Sequence, residues 1–262
     1  MIIKPRTKDQ LDLMRQSGKI SALALKKALE ASKPGVNLLE VEKVAWNTIK
    51  ENGGEISFTT VGDYKWATCL TVNEQLVHGI PHDYELKEGD LLSIDVGAIY
   101  KGWHTDTAWS ILIEETKRQS GKETKEIAEK RKFLRVGGEA LWKAIKKAVQ
   151  GKQIGDISNE IQSTIEGAGF SVSRELIGHG VGQDVHEPPD VPGVGKPGTG
   201  LQLQAGMTIA IETIYAKGNA RVYLESDGWT YTTIDHSWGG LFEMSVIVGE
   251  KEAEVLTDWR KV

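Results

Sequence analysis

Apolar and polar positions recur along this chain with two different periods, and each change of period marks a new element. Leu11, Met14, Leu25 and Leu29 stand at near-helical spacing behind Thr7 and Gln10, a capping-box spelling, and Pro34-Gly35 ends that helix. A second helix is predicted over 38–51, closed by Asn52-Gly53-Gly54. Strand-like runs follow from Trp66 to Val72 and then in "LLSIDVGAIYKGWHTDTAWSIL", residues 91–112, which reads as a hairpin. A long helical stretch runs over 123–150, from Glu123 to Gln150, weakened by Gly137-Gly138. Asp156 is expected to cap another helix, in which Ile157, Ile161 and Ile165 stand at i, i+4 spacing before Gly167 and Gly169. Strands return over 207–216, 220–234 and 241–248.

The order repeats: long helix, short helix, strands, then the same again. "KPGVNLLEVEKVAWNTIKENGG" (33–54) and "QIGDISNEIQSTIEGAG" (153–169) share a turn, a helical period and a glycine stop. A period of about 120 residues is too long for a solenoid. The expected fold is α+β, one domain over 1–262 built from two helix–helix–sheet halves, roughly 1–115 and 116–262, around a shared core. The Pro/Gly-rich "HEPPDVPGVGKPGTG" (186–200) is read as a loop over a site.

Composition narrows the class. No apolar run approaches the roughly 20 residues of a membrane-spanning helix, and the first residues lack the apolar stretch of a signal peptide, so a cytoplasmic protein is expected. Cys69 is the only cysteine, which excludes an internal disulfide and fits a reducing compartment. A net charge of −5 argues against direct nucleic-acid binding. The sign-alternating run over 117–132 reads as a solvated helix face and its approach.

The chemistry begins with acids in the wrong company. Asp95 and Asp106 occupy the two arms of the hairpin, Glu212 sits in "MTIAIETIY" and Glu243 in "LFEMSVIV". If the hairpin turn is a four-residue loop over 99–102, Asp95 and Asp106 face one another with Cβ atoms about 5 Å apart, where like charges destabilise. Buried carboxylates must be protonated, paired or metal-bound, and these strands hold few basic residues. His179, between glycines in "ELIGHGVGQDVHEPP", adds an imidazole. One histidine with four carboxylates is a donor set for a pair of Mn, Fe, Co or Zn ions, whose charge would balance the four acids. Such a pair can acidify a shared water and polarise a carbonyl oxygen, which points to hydrolysis of an amide or ester. His78 and His186, in Gly/Pro-punctuated segments, are free to donate hydrogen bonds to a tetrahedral intermediate or a leaving nitrogen. His82 is read as a surface residue.

"VNEQLVHGIP", "IDVGAIYKGWHTDTAW", "GHGVGQDVHEPP", "GMTIAIE" and the late strand "FE" resemble, in this order and spacing, the type I methionine aminopeptidases. The resemblance covers most of the chain. It implies the pita-bread fold, a pseudo-two-fold pair of helix–helix–sheet halves around a central antiparallel sheet. It also implies removal of the initiator methionine from nascent proteins when the second residue is small. By the same resemblance Asp95, Asp106, His179, Glu212 and Glu243 would be the metal ligands, with Glu212 also handling the proton of the attacking water. His78 and His186 would face the substrate, and Tyr64, Cys69 and Trp229 would line the methionine pocket. Cys69 is equally readable as a small buried hydrophobe. The partners implied are emerging N-termini, with the ribosome as a further partner and a monomer as the expected state. The chain's own Ile2 is bulky, so Met1 should be retained.

Three departures from the family pattern stand out. Thr213 replaces the usual proline, Met244 the usual histidine, and Val185 a common aromatic, which bears on the width of the methionine pocket. Rival readings on the same fold are an Xaa-Pro aminopeptidase, a type II enzyme and a non-catalytic binding protein. The first typically carries an extra N-terminal domain and the second a helical insertion, neither of which this chain is read to have. The third would have lost ligands.

Overall fold

The computed structural model describes residues 3–115 and 124–262. Met1 and Ile2, the expected helix start at Glu123 and the stretch 117–123 of the sign-alternating run lie outside the described residues.

The helices form where their caps and apolar stripes coincide. Helix α1, Lys8–Ala31, opens with Thr7 and Gln10 in a reciprocal capping box. Helix α2, Leu38–Glu51, is capped by Asn37, whose side chain accepts from the Leu39 N–H at 3.0 Å. Helix α3, Lys125–Ile145, stops short of the expected Gln150 and continues unbroken through Gly137 and Gly138. In α4, Ile154–Gly167, the cap is Gln153 and not Asp156. Asp156 lies within the first turn, where its carboxylate accepts from the Gln153 N–H at 2.8 Å.

The strands are β1 Glu55–Ile56, β2 Thr68–Val72, β3 Gln75–Val77, β4 Leu91–Tyr100, β5 Trp103–Leu112, β6 Ser171–Val172 and β7 Ile177–Gly180. They continue as β8 Glu187–Pro192, β9 Thr208–Ala216, β10 Val222–Leu224, β11 Tyr231–Thr233, β12 Gly239–Ile247 and β13 Glu254–Val255. The expected strand over 220–234 is therefore two short ones. The segment read as a loop over 186–200 begins instead as β8, paired with β7.

Among the described residues, ten strands form one antiparallel sheet, ordered β1-β4-β5-β12-β9-β7-β8 with β2, β6 and β13 attached to β4, β9 and β12. A smaller sheet has the order β10-β11-β3. The pseudo-two-fold is visible in the pairing. Edge strands β1 and β2 follow α2 and pair with β4, and β6 and β7 follow α4 and pair with β9. The halves join where β5 meets β12, through Glu243↔Ala108 and Met244↔Thr107.

Side chains alternate across this sheet. One face feeds two apolar cores: Leu92, Ile94 and Val96 pack with α1 and α2, whereas Ile209, Ile211, Phe242 and Met244 pack with α3 and α4. Gly137 explains why α3 accepts a glycine in its interior, since a Cβ there would lie 2.5 Å from Cε2 of Phe242 and collide with the Tyr215 hydroxyl. Gly137→Ala is expected to cost about 1–3 kcal/mol by overpacking, although alanine is the better helix former. Chemical denaturation reads this directly, and unchanged or raised stability would contradict it. The other face of the sheet carries the acids.

Candidate metal centre and substrate cleft

The hairpin closes on a two-residue turn, Lys101-Gly102, with φ of 49° and 79°, so Tyr100 pairs with Trp103. This primed turn replaces the four-residue loop expected from the sequence and shifts the register. Asp95 pairs with Ala108 and Asp106 with Gly97, so the two aspartates are diagonal neighbours on one face and not directly opposed. The directly opposed acids are in the other half, where Glu212 pairs with Glu243. One row of paired residues therefore crosses five strands: Cys69, Asp95, Ala108, Glu243 and Glu212. Asp106 stands two residues from Ala108 on β5. His179 joins from β7, paired with Ala210, two residues from Glu212 on β9. The methyl group of Ala108 leaves the middle of the row open between carboxylates.

The geometry gathers the acids tightly. Single ligand atoms of Asp106, His179 and Glu243 all lie within 4.8 Å of one another. Glu212 Oε1 is 3.5 Å from His179 Nε2, and Glu243 Oε1 is 3.9 Å from it. Asp95 is the diagonal neighbour of Asp106 on the adjoining strand β4. Burial pushes all four carboxyl groups up, and the charge of Asp106 adds to the rise at Asp95, Glu212 and Glu243.

These residues fit a divalent metal on their own chemistry. His179 Nδ1 lies 2.9 Å from the Gly180 carbonyl oxygen, to which it donates, and this leaves Nε2 as a lone pair aimed at two carboxylates. Burial and then His186 hold the His179 pKa down at about 4, so the ring stays neutral. Asp95 Oδ1 and Glu243 Oε1 are buried without any hydrogen-bond partner. A cation held among them would satisfy these atoms.

Beside the acids opens a small cleft, with about 60 Å³ of internal space, lined by Phe58, Val61, Tyr64, Cys69, His78, Asp95, Asp106, His186 and Trp229. Tyr64, Cys69 and Trp229 thus stand together, with the Tyr64 and Trp229 rings edge to face at 5.0 Å. Val185 packs in the same apolar cluster as Phe58, Tyr64 and Cys69, so this departure lies at the cleft wall. Thr213 and Met244 face the helices instead, and the Thr213 hydroxyl is buried without a partner. Helix α2 shapes the wall through the buried Glu42, which accepts from the backbone N–H of Ala67 at 2.7 Å and of Thr68 at 2.9 Å. The Thr68 carbonyl in turn accepts from the Tyr64 hydroxyl at 2.8 Å. Burial raises both the Tyr64 phenol and the Cys69 thiol, so neither ionises.

His78 is held at a φ of 59° and reaches the cleft from the end of β3. Burial and then His186 lower its pKa to about 4, which keeps the imidazole neutral. The His186 ring lies 4.5 Å from that of His179. His82 is exposed. The sequence does not signal Phe58, Val61 or the part of Glu42: the first two belong to a single 3-10 turn, Phe58–Thr60, and its C-cap, too short to show a period, and Glu42 looks like any polar helix position.

Comparison with known proteins agrees with this geometry. Residues 12–250 match metallopeptidase family M24. The methionine aminopeptidase of Clostridium perfringens is 37% identical over 96% of this chain and 97% of its own. Methionine aminopeptidase 1 of Bacillus subtilis is 36% identical over 96% and 98%. The crystal structure of the Thermotoga maritima methionine aminopeptidase is similar with a TM-score of 0.91 and 39% identity, covering 98% of this chain and 99% of that one. With its pita-bread fold and its metal-fitting row of acids, the chain belongs to metallopeptidase family M24, among the methionine aminopeptidases.

Proposed function

We propose that this chain removes the initiator methionine from nascent polypeptides whose second residue is small. The observation that carries the reading is the row of acids, joined by His179, beside an apolar cleft whose lining includes Asp95 and Asp106. Asp95, Asp106, His179, Glu212 and Glu243 would hold two divalent ions of the Mn, Fe, Co or Zn class. When bound, such ions supply Lewis acidity and an acidified water for amide hydrolysis.

The chain's own residues do the rest. Tyr64, Cys69 and Trp229, with Phe58 and Val61, offer a neutral apolar wall with ring edges and a thiol, suited to a flexible thioether side chain. His78, neutral by burial, donates a hydrogen bond to the carbonyl oxygen as charge grows on it or to the departing nitrogen. His186, which also lines the cleft, takes the other of these two positions. Glu212 accepts the water's proton and passes it to the leaving amine. A bulky second residue would push the scissile carbonyl out of line with these groups. The reading places the protein in the cytoplasm as a monomer that meets chains at the ribosome, and among the described residues no helix is long and apolar enough to cross a membrane.

Four peptides test it. Met-Ala-Ser should be cleaved and Ala-Pro-Ala left intact; the reverse would make the chain an Xaa-Pro enzyme. Met-Ala-Ile should exceed Met-Ile-Ile in kcat/KM by about a hundredfold, the penalty of a roughly 1 Å misplacement. Comparable values for the last two would show that the second residue is not read.

A further inference from the structure

His186 stands on a turn, residues 181–187, that is shaped by a side chain from the other end of the sequence. Glu187 folds back over its own turn, where Oε1 accepts from the backbone N–H groups of Gln183 at 2.6 Å and Asp184 at 3.1 Å. Its second oxygen takes the guanidinium of Arg6. Arg6 is itself anchored at several points. Its backbone N–H donates to the Gly206 carbonyl at 2.9 Å, and its Nε donates to the Thr208 hydroxyl at 3.3 Å. Its guanidinium lies over the Trp103 ring, 5.2 Å from the centroid. The Thr208 hydroxyl then donates to the Val181 carbonyl at 2.6 Å, which ties down the start of the turn. Gly182 adds a further tie, its carbonyl accepting from the His104 N–H at 2.7 Å.

Gly182 also reveals how closely this arrangement is fitted. A Cβ there would collide with Arg6 Nη2 and lie 2.9 Å from Glu187 Oε1, so the third glycine of Gly-His-Gly-Val-Gly is the space that the ion pair occupies. The Arg6 and Glu187 side chains are only 18% and 16% exposed. An ion pair this far from solvent is costly to break by removing one partner, because the other charge is left behind.

We infer that Arg6, acting through Glu187, is a positioning residue for His186: it holds the turn 181–187 in the shape that aims the imidazole into the cleft. The inference rests on the aminopeptidase reading above. Arg6 spends Nε on Thr208 and Nη2 on Glu187, two partners that a lysine ammonium cannot reach in the same way. Loss of the clamp lets the turn relax, and a catalytic group displaced by about 1 Å can lose up to a hundredfold in rate.

A double-mutant cycle on the full chain tests this with Met-Ala-Ser as substrate. Arg6→Met should lower kcat by about 10- to 100-fold with KM little changed, and Arg6→Lys should restore only part of it. In a His186→Ala background the same Arg6→Met change should cost less than about twofold, because the group it positions is gone. Amide exchange of Gln183 and Asp184 should quicken by at least about tenfold in Arg6→Met, with α3 unaffected. Should Arg6→Met fail to fold, Glu187→Gln keeps an acceptor for both backbone N–H groups while losing the charge, and should show the same dependence on His186. Equal kcat losses in both backgrounds, or no loss in the wild-type background, overturn the positioning role alone. A wild-type chain that does not cleave Met-Ala-Ser overturns the aminopeptidase reading and this role with it.

Discussion

Replacing His179 by alanine, or Asp106 by asparagine, is expected to lower turnover of Met-Ala-Ser by at least about a thousandfold. Both residues belong to the triad whose ligand atoms lie within 4.8 Å of one another. His179→Ala removes the only neutral donor of the set, and Asp106→Asn removes the charge that most strongly perturbs its neighbours. Metal content measured on the same preparations should fall together with activity. Near-normal turnover in either variant would show that the row of acids is not the reactive centre.

The second large effect concerns the cleft histidines. His78→Ala or His186→Ala should lower kcat by about 10²–10³-fold, the loss typical of one donor aimed at developing charge. KM should change far less, because the lost hydrogen bond matters most in the transition state. Steady-state kinetics on Met-Ala-Ser, with metal content determined alongside, separates the possibilities. Variants that lose bound metal with no other defect would make these histidines ligands and not substrate-facing groups. The magnitude also sets the ceiling for Arg6, which cannot cost more than the histidine it positions.

Much of this was legible in the sequence, for physical reasons that differ between elements. Helix α2 was bounded to the residue because cap, amphipathic stripe and glycine stop all agree. The four acids stood out because a carboxylate inside an apolar strand needs a compensating charge wherever its strand is buried. The hairpin register did not, since Lys101 adopts a positive φ that its residue type does not announce. The one pair of acids that is directly opposed, Glu212 and Glu243, depends on the pairing of β9 with β12, strands separated by the whole β10–β11 excursion. No local pattern specifies such a pairing. The expected cap at Asp156 failed by three residues because an acidic residue in the first turn reads much like a cap. Phe58, Val61, Glu42 and Arg6 were silent because tertiary contacts, and no periodicity, bring them to the cleft or its supports.

The central claim is that these residues work by holding divalent metal. The most direct measurement is the rate of Met-Ala-Ser hydrolysis by the wild-type chain before EDTA, after EDTA and dialysis, and after adding back Mn²⁺ or Co²⁺. The account predicts that the chelated protein stays folded and loses its activity, and that either ion restores it. Full activity in protein shown to be free of metal would contradict it.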